Sequence, residues 1–304
     1  MAIAKAESEP TWPQLPLPYG PGDNLIVAHT FVRSGIFSTQ LYRRHAERPV
    51  YLRKTALATT ETSDIRVFQT RGPRLDQGDA DVFYELLRRV FDRGRESDRE
   101  EWIRLNRSEL LDALGRGRGG KTRRLLDESL DRLCRAEFDF VVPGLLAGRL
   151  RLIRKMRRPD GDDATDCDYE VLLDSDIARL FECGQWTLLR QAERCQLAGS
   201  PLARGLHALY ASLSEPYPMK ASTLKNLMGR ESMQESKWRL ALQTALDAVK
   251  RATGWTTCEL QATSTGGWKV VVVKGTAARM RKRSSDAKRT KPHAADNDEP
   301  VDDI

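Results

Sequence analysis

Twice along this chain three helical segments, the last two separated by a turn, lead into a pair of strands, and in the first unit a short strand also follows the first helix. Apolar residues recur at helical spacing through the helices and alternate in several of the strands, and basic residues gather at the turn of the first unit. Together these observations predict an α+β fold of two tandem winged-helix domains with flexible tails. A length of 304 residues suits about two domains. The expected division is a Pro-rich extended segment (1–24), a first winged-helix domain (25–184), a second (185–274) and a disordered tail (275–304).

In the first unit a helix over 79–93 carries Val82, Phe83, Leu86, Leu87 and Val90 on one face. A short strand at 102–105 follows, and Asn106 or Ser108 can cap the helix over 108–114, which has Leu110, Leu111 and Leu114 at helical spacing. After a Gly-rich turn the helix over 121–135 buries Leu126, Leu130 and Leu133. Strands at 138–142 and 149–154 are expected to form the ribbon, and the charged, turn-rich stretch 157–165 reads as a loop.

The second unit repeats the order. A helix over 201–213 carries Leu202, Leu206, Leu209 and Tyr210, and a helix over 221–228 is stopped by Gly229. The helix over 233–252 buries Trp238, Leu242, Leu246 and Val249. Strands at 255–261 and 268–273 flank a Thr-Gly-Gly turn. Beyond Gly275 the chain is basic, then acidic, and nearly lacks large apolar residues, so it is expected to be disordered.

A net charge of +7 points to a polyanionic partner. The longest apolar run lies around Val270–Val273, too short to span a bilayer, and the N-terminus has prolines and Glu7 and Glu9 where a secretory signal needs an apolar core. Membrane association and export are therefore not expected, and a bacterial cytoplasmic setting is. Cys134, Cys167, Cys183, Cys195 and Cys258 are scattered, form no C-x-x-C, and have no histidine at ligand spacing. No cofactor or metal is expected. No catalytic motif stands out, with one exception.

That exception is Gly115–Thr122, which matches the phosphate-loop pattern G-x-x-x-x-G-K-[ST]. Such a loop needs a buried strand running directly into the first glycine, and here a helix enters it. The favoured reading is the turn of a helix-turn-helix, with a phosphate-loop ATPase as the alternative. On that reading the chain is not an enzyme. Arg116, Arg118, Lys121, Arg123 and Arg124 make the turn and the following helix start basic with no acidic residue among them. In a helix-turn-helix that helix enters the major groove. Arg149, Arg151 and Arg154 would extend the surface along the ribbon. In the second unit Lys220, Lys225, Arg230, Ser236, Lys237 and Arg239 are the corresponding DNA-binding candidates, with more neutral polar character suited to base reading.

Several of these segments resemble the TrfA-type family of plasmid replication initiators. The resemblance is carried by Pro201–Ser212, by Glu215-Pro-Tyr-Pro-Met-Lys220, by Trp238-Arg239, by Glu109–Gly115 and by Leu130–Leu133. Arg33-Ser-Gly-Ile-Phe37 matches too, with Gly35 where alanine is usual. The similarity spans about residues 20–274. It implies binding to direct repeats (iterons) in double-stranded origin DNA, opening of the origin with single-stranded DNA as a further partner, recruitment of the host replicative helicase and its loader, and a monomer–dimer equilibrium. Gln14-Leu-Pro-Leu-Pro18 is similar to the sliding-clamp-binding pentapeptide Q-L-x-L-F of some initiators. Gln14, Leu15 and Leu17 match, and Pro18 replaces the aromatic residue. A sequence-specific transcriptional repressor on the same fold is the nearest alternative function.

Overall fold

The computed structural model describes residues 23–42, 47–61, 64–92, 102–159, 167–264 and 266–275. The clamp-like residues Gln14, Leu15 and Leu17, the tail after Gly275 and most of the loop expected at 157–165 lie outside them. The chain opens with β1 (Asn24–Ala28), α1 (His29–Val32), β2 (Phe37–Ser38), β3 (Val50–Tyr51), β4 (Thr55–Leu57), β5 (Arg66–Pro73) and β6 (Leu75–Asp76), then enters α2 (Gln77–Asp92). The Asp76 side chain accepts from the Gly78 and Asp79 backbone N–H groups while Asp79 accepts from the Asp76 N–H, a reciprocal cap that fixes where α2 begins. Val82, Phe83, Leu86 and Leu87 of α2 are fully buried and Val90 partly so, and Phe83 packs edge-on against Phe31 of α1 with ring centroids 5.0 Å apart.

The first helix-turn-helix follows as β7 (Ile103–Leu105), α3 (Arg107–Ala113) and α4 (Gly120–Arg135). Asn106 caps α3, its side chain accepting from the Ser108 and Glu109 N–H groups. Leu126, Leu130 and Leu133 of α4 are buried as their spacing requires. Asp79 lies beneath α4 and accepts from Ser129 Oγ at 2.5 Å and Arg132 Nη2 at 2.8 Å, bonds that oppose the rise in its carboxyl pKa caused by burial and the nearby Asp76.

The strands after α4 differ from expectation. β8 (Glu137–Val142) and β9 (Leu146–Arg151) do form a hairpin, but β8 pairs with β5, so the hairpin belongs to a five-stranded sheet with β3 and β4. The expected strand 149–154 ends early. Leu152 and Ile153 are both fully buried, which breaks the alternation and redirects the chain. It resumes as β10 (Ile153–Arg157), which pairs with β11 (Tyr169–Leu173), and β11 pairs with β7. The ribbon beside the helix-turn-helix is therefore β10–β11.

A kinked 3₁₀ segment (Ser175–Gly184), β12 (Trp186–Arg190) and α5 (Gln191–Gln196) lead to the second unit. That unit comprises α6 (Pro201–Ser212), β13 (Met219–Lys220), α7 (Ala221–Leu227), α8 (Glu235–Thr253), β14 (Thr257–Ala262) and β15 (Trp268–Val273). Ser200 caps α6 ahead of Pro201, and left-handed Gly254 ends α8. The sheet order β13–β15–β14 reproduces β7–β11–β10 of the first unit. The two units thus share helix order and sheet topology, with β8–β9 inserted in the first.

Buried apolar residues form two cores. One runs from Leu25 to Leu189 with Ala208, the other from Leu197 to Val272. β12 pairs with β1, contributes Leu189 to the first core and also packs against α6, so it joins the two units.

Candidate nucleic-acid interface

The Gly-rich run is a helix-to-helix turn. Leu114 closes α3, and Gly115 has φ +63°, a conformation glycine adopts without cost. The Gly115 N–H donates to Asp112 O at 2.9 Å and the Arg116 N–H to Leu111 O at 2.8 Å, so the last carbonyls of α3 are satisfied. β7 ends before α3 begins, and α3 separates it from the glycines. The strand-to-loop geometry that lets a phosphate loop wrap a pyrophosphate is missing at this motif.

Within the run the basic residues take different directions. Arg116 turns inward, its Nη2 donating at 3.2 Å to both Gly78 O and Asp81 Oδ2. Asp81 also accepts from Arg194 Nε at 2.6 Å and from Arg204. Burial pushes the Asp81 carboxyl up, but the three guanidinium groups, Arg194 foremost, outweigh it and hold the carboxyl below the usual range. Arg116 is therefore a bracing residue between the turn and α2, which corrects its expected place on the DNA face. Arg118 forms an exposed bidentate pair with Asp112 across the turn.

Lys121, Arg123 and Arg124 begin α4 on its solvent side. The N-cap, Gly119, supplies no side chain to the first turn, so its N–H groups have no side-chain acceptor there. Arg123 donates to Ser108 Oγ at 3.3 Å. Arg124 is 73% exposed and lies 3.5 Å from Glu128, the first acid down the helix. Around this helix start stand further side chains, Arg157 and Arg158 of the basic ribbon stretch among them. Arg107 bonds Asp168 through both its backbone N–H and its Nε, reaches Asp127 at 3.3 Å and lies over the Tyr169 ring. Arg158 covers the same ring at 5.7 Å, and Arg157 stacks on Trp102 at 4.2 Å while pairing with Glu170. The signal for these was the pair of aromatic residues on strands flanking a basic stretch, since such rings hold guanidinium groups at a surface.

Arg149 and Arg151 stand elsewhere. Both lie on β9 and pair with Glu137, at 3.6 and 3.5 Å. The charge of Arg151 acts on Cys134 in the last turn of α4, a thiol that burial pushes up to about 12. The helix rise from Lys121 to Cys134 separates those ends by about 20 Å. These arginines therefore do not extend the surface at the start of α4. Arg154, on β10, is exposed, and its charge acts on Asp174.

In the second unit Lys220 is exposed at the N-cap of α7. Ser236 and Lys237 are exposed in the first turn of α8. Arg239 lies over Trp268 of β15 at 5.2 Å with its Nε buried and unpartnered. Lys225 is mostly covered and pairs with Glu235 at 3.2 Å. Arg230 turns inward like Arg116, donating to the Thr39 hydroxyl at 2.9 Å and to the Thr39 carbonyl. Burial lowers its pKa, and its role is to dock this turn on the first unit, a second correction to the expected DNA face.

No helix among the described residues is long and apolar enough to cross a membrane, and no cluster of potential metal ligands occurs among them. A family model described as TrfA protein matches residues 18–258. The plasmid replication initiator protein TrfA of Escherichia coli is 25% identical over 222 residues, covering 72% of this chain and 54% of that protein. The chain thus spans about half the length of that relative. Two crystal structures of domains 2 and 3 of RctB align with TM-scores of 0.52 and 0.55 at 13% and 14% identity. They cover 84% and 81% of this chain and 99% and 98% of theirs, a likeness of fold.

Proposed function

The chain belongs to the TrfA protein family, and we propose that it is a plasmid replication initiator whose two units are winged helices that grip direct repeats in origin DNA. The observation that carries this reading is the paired presentation of Lys121 and Lys237. Each is exposed in the first turn of the third helix of its unit, beside a three-stranded sheet on which an aromatic ring holds an arginine. Helix N-termini and lysines both favour phosphate oxygens, and a third helix so placed can enter a major groove. Two units that differ in side chains suit a direct repeat, whereas identical copies related by symmetry suit a palindrome.

On this proposal Gly115–Thr122 meets the phosphates of DNA rather than those of a nucleotide, and the chain has no catalytic role. Opening of the origin, binding of its single strands, recruitment of the helicase and its loader, clamp binding through Gln14, Leu15 and Leu17, and a monomer–dimer equilibrium complete the proposed function in a bacterial cytoplasm.

The test is the salt dependence of binding to a duplex bearing the direct repeats of the plasmid that encodes the chain, followed by fluorescence anisotropy. Lys121→Ala and Arg124→Ala should each reduce the slope of log K against log salt by about 0.9. Arg116→Ala and Arg230→Ala should leave it unchanged, because both arginines face protein. Equal slopes for Lys121→Ala, Arg124→Ala and the unsubstituted chain would sink the proposed interface.

A further inference from the structure

The third helices of the two units can be aligned by their cores. Leu126, Ser129, Leu130 and Leu133 are buried in α4, and Leu242, Ala245, Leu246 and Val249 are buried in α8 at the same spacing. In that register Lys121 corresponds to Lys237 and Arg123 to Arg239. The next position differs: Arg124 in α4 is Leu240 in α8. Leu240 is 72% exposed, and it lies two residues from each of the buried Trp238 and Leu242, which puts it opposite the core. Packing among the described residues gives no reason for a large apolar residue there.

Its neighbours define what could cover it. Ser236, Lys237 and Thr244 share its face of the helix and are exposed. The Thr244 hydroxyl donates to Leu240 O at 2.9 Å, so it is turned back on the helix. One turn beyond Arg124 the first unit has Glu128, whereas the second has Thr244 beyond Leu240. The nearby acids are engaged, Glu235 with Lys225 and Asp247 with Gln243. The result is an apolar knob within a neutral-to-basic face. In a major groove the apolar group on offer is the C5 methyl of thymine.

Resting on the DNA-binding reading above, we infer that Leu240 is a specificity-determining residue that packs on a thymine methyl in the groove entered by α8. A leucine cannot hold a phosphate, so this position reads sequence where its counterpart Arg124 grips the backbone.

The experiment starts by selecting duplexes from a randomised pool with the full chain, then replaces each thymine of the selected duplex singly by deoxyuridine, which lacks the methyl. One replacement should weaken the unsubstituted chain about fourfold, the worth of one buried methyl. The same replacement should leave Leu240→Ala unaffected. Leu240→Arg should lose that sensitivity and steepen the salt slope by about 0.9. Because the side chain is exposed, both variants should unfold like the parent. If every deoxyuridine duplex affects parent and Leu240→Ala alike while Lys121→Ala still flattens the slope, the role of Leu240 is overturned and the DNA reading stands. If no duplex is enriched and Lys121→Ala changes nothing, the DNA reading falls and the inference with it.

Discussion

The two inter-helix turns are near copies in backbone and opposites in what their arginines meet. Gly115 and Gly229 have φ of +63° and +67°, and each is followed by an arginine whose N–H returns to the helix before it, to Leu111 O and Lys225 O. Both guanidinium groups then point into the protein. Arg116 joins Arg194 and Arg204 on the single carboxylate of Asp81, a charged hub that ties the first turn and α2 to α5 and α6. Among the described residues Arg230 donates to the hydroxyl and carbonyl of Thr39, a neutral dock that ties the second turn to the segment after β2. One backbone device therefore serves two kinds of junction. A basic residue beside a turn glycine is weak evidence for a nucleic-acid contact.

The charged junction should be the costlier to break. Removing Asp81 strands three guanidinium groups, two of them largely buried, with no carboxylate between them. Asp81→Ala should lower the unfolding free energy in urea by about 3–5 kcal/mol. Thr39→Val keeps the backbone acceptor for Arg230 and should cost about 1–2 kcal/mol. A larger loss for Thr39→Val than for Asp81→Ala would reverse the ranking of the two junctions.

Packing separates the glycines in the other direction. A Cβ on Gly229 would lie 2.4 Å from Ser38 Oγ and 3.0 Å from Ser38 Cβ, whereas on Gly115 the nearest atom would be Cys195 Sγ at 3.4 Å. Both alanine variants bear the left-handed cost of about 1–2 kcal/mol. Gly229→Ala should be worse than Gly115→Ala by at least about 1 kcal/mol, because the second unit sits tightly on Ser38 and Thr39. Equal losses in urea denaturation would mean that Ser38 moves aside freely and the dock is loose.

The sequence made local features legible and hid distant ones. In the second unit the helices and the β14–β15 pair were legible because they are bounded by near neighbours, such as Gly229, Ser200 and the Trp238–Val249 stripe, while the two-residue β13 was not. The first unit misleads at its ribbon. β8 is claimed by β5, far back in the chain, and Arg149-Leu-Arg-Leu152 gives no sign that β9 and β10 belong to different sheets. The exposure of Lys121, Arg124 and Lys237 was legible because each lies opposite a helical core stripe. The inward turn of Arg116 and Arg230 was not, since their partners are 35 and 191 residues away and charge patterning contains no information about such distances.

The smallest expected difference between the junctions is their response to acid. Beside the charged hub, His207 of α6 is buried, its Nε2 3.0 Å from Glu193 Oε2 and its ring 6.0 Å from that of Trp255. Burial pushes the imidazole pKa below its ordinary value, and the charges of Arg194 and Lys274 act in the same sense against the bond to Glu193. The folded chain therefore binds the proton less well than the unfolded chain. The stabilising contribution of neutral His207 is complete above the unfolded histidine value of about 6.5 and is lost as the pH falls from there toward the folded pKa. Among the described residues the neutral dock offers Arg230 no partner that titrates in this range. Urea unfolding between about pH 5 and 8 should show a downward slope on the acid side. His207→Asn should flatten that slope, and Thr39→Val should keep it. A slope that survives His207→Asn would place the sensitivity elsewhere and leave the two junctions alike toward protons.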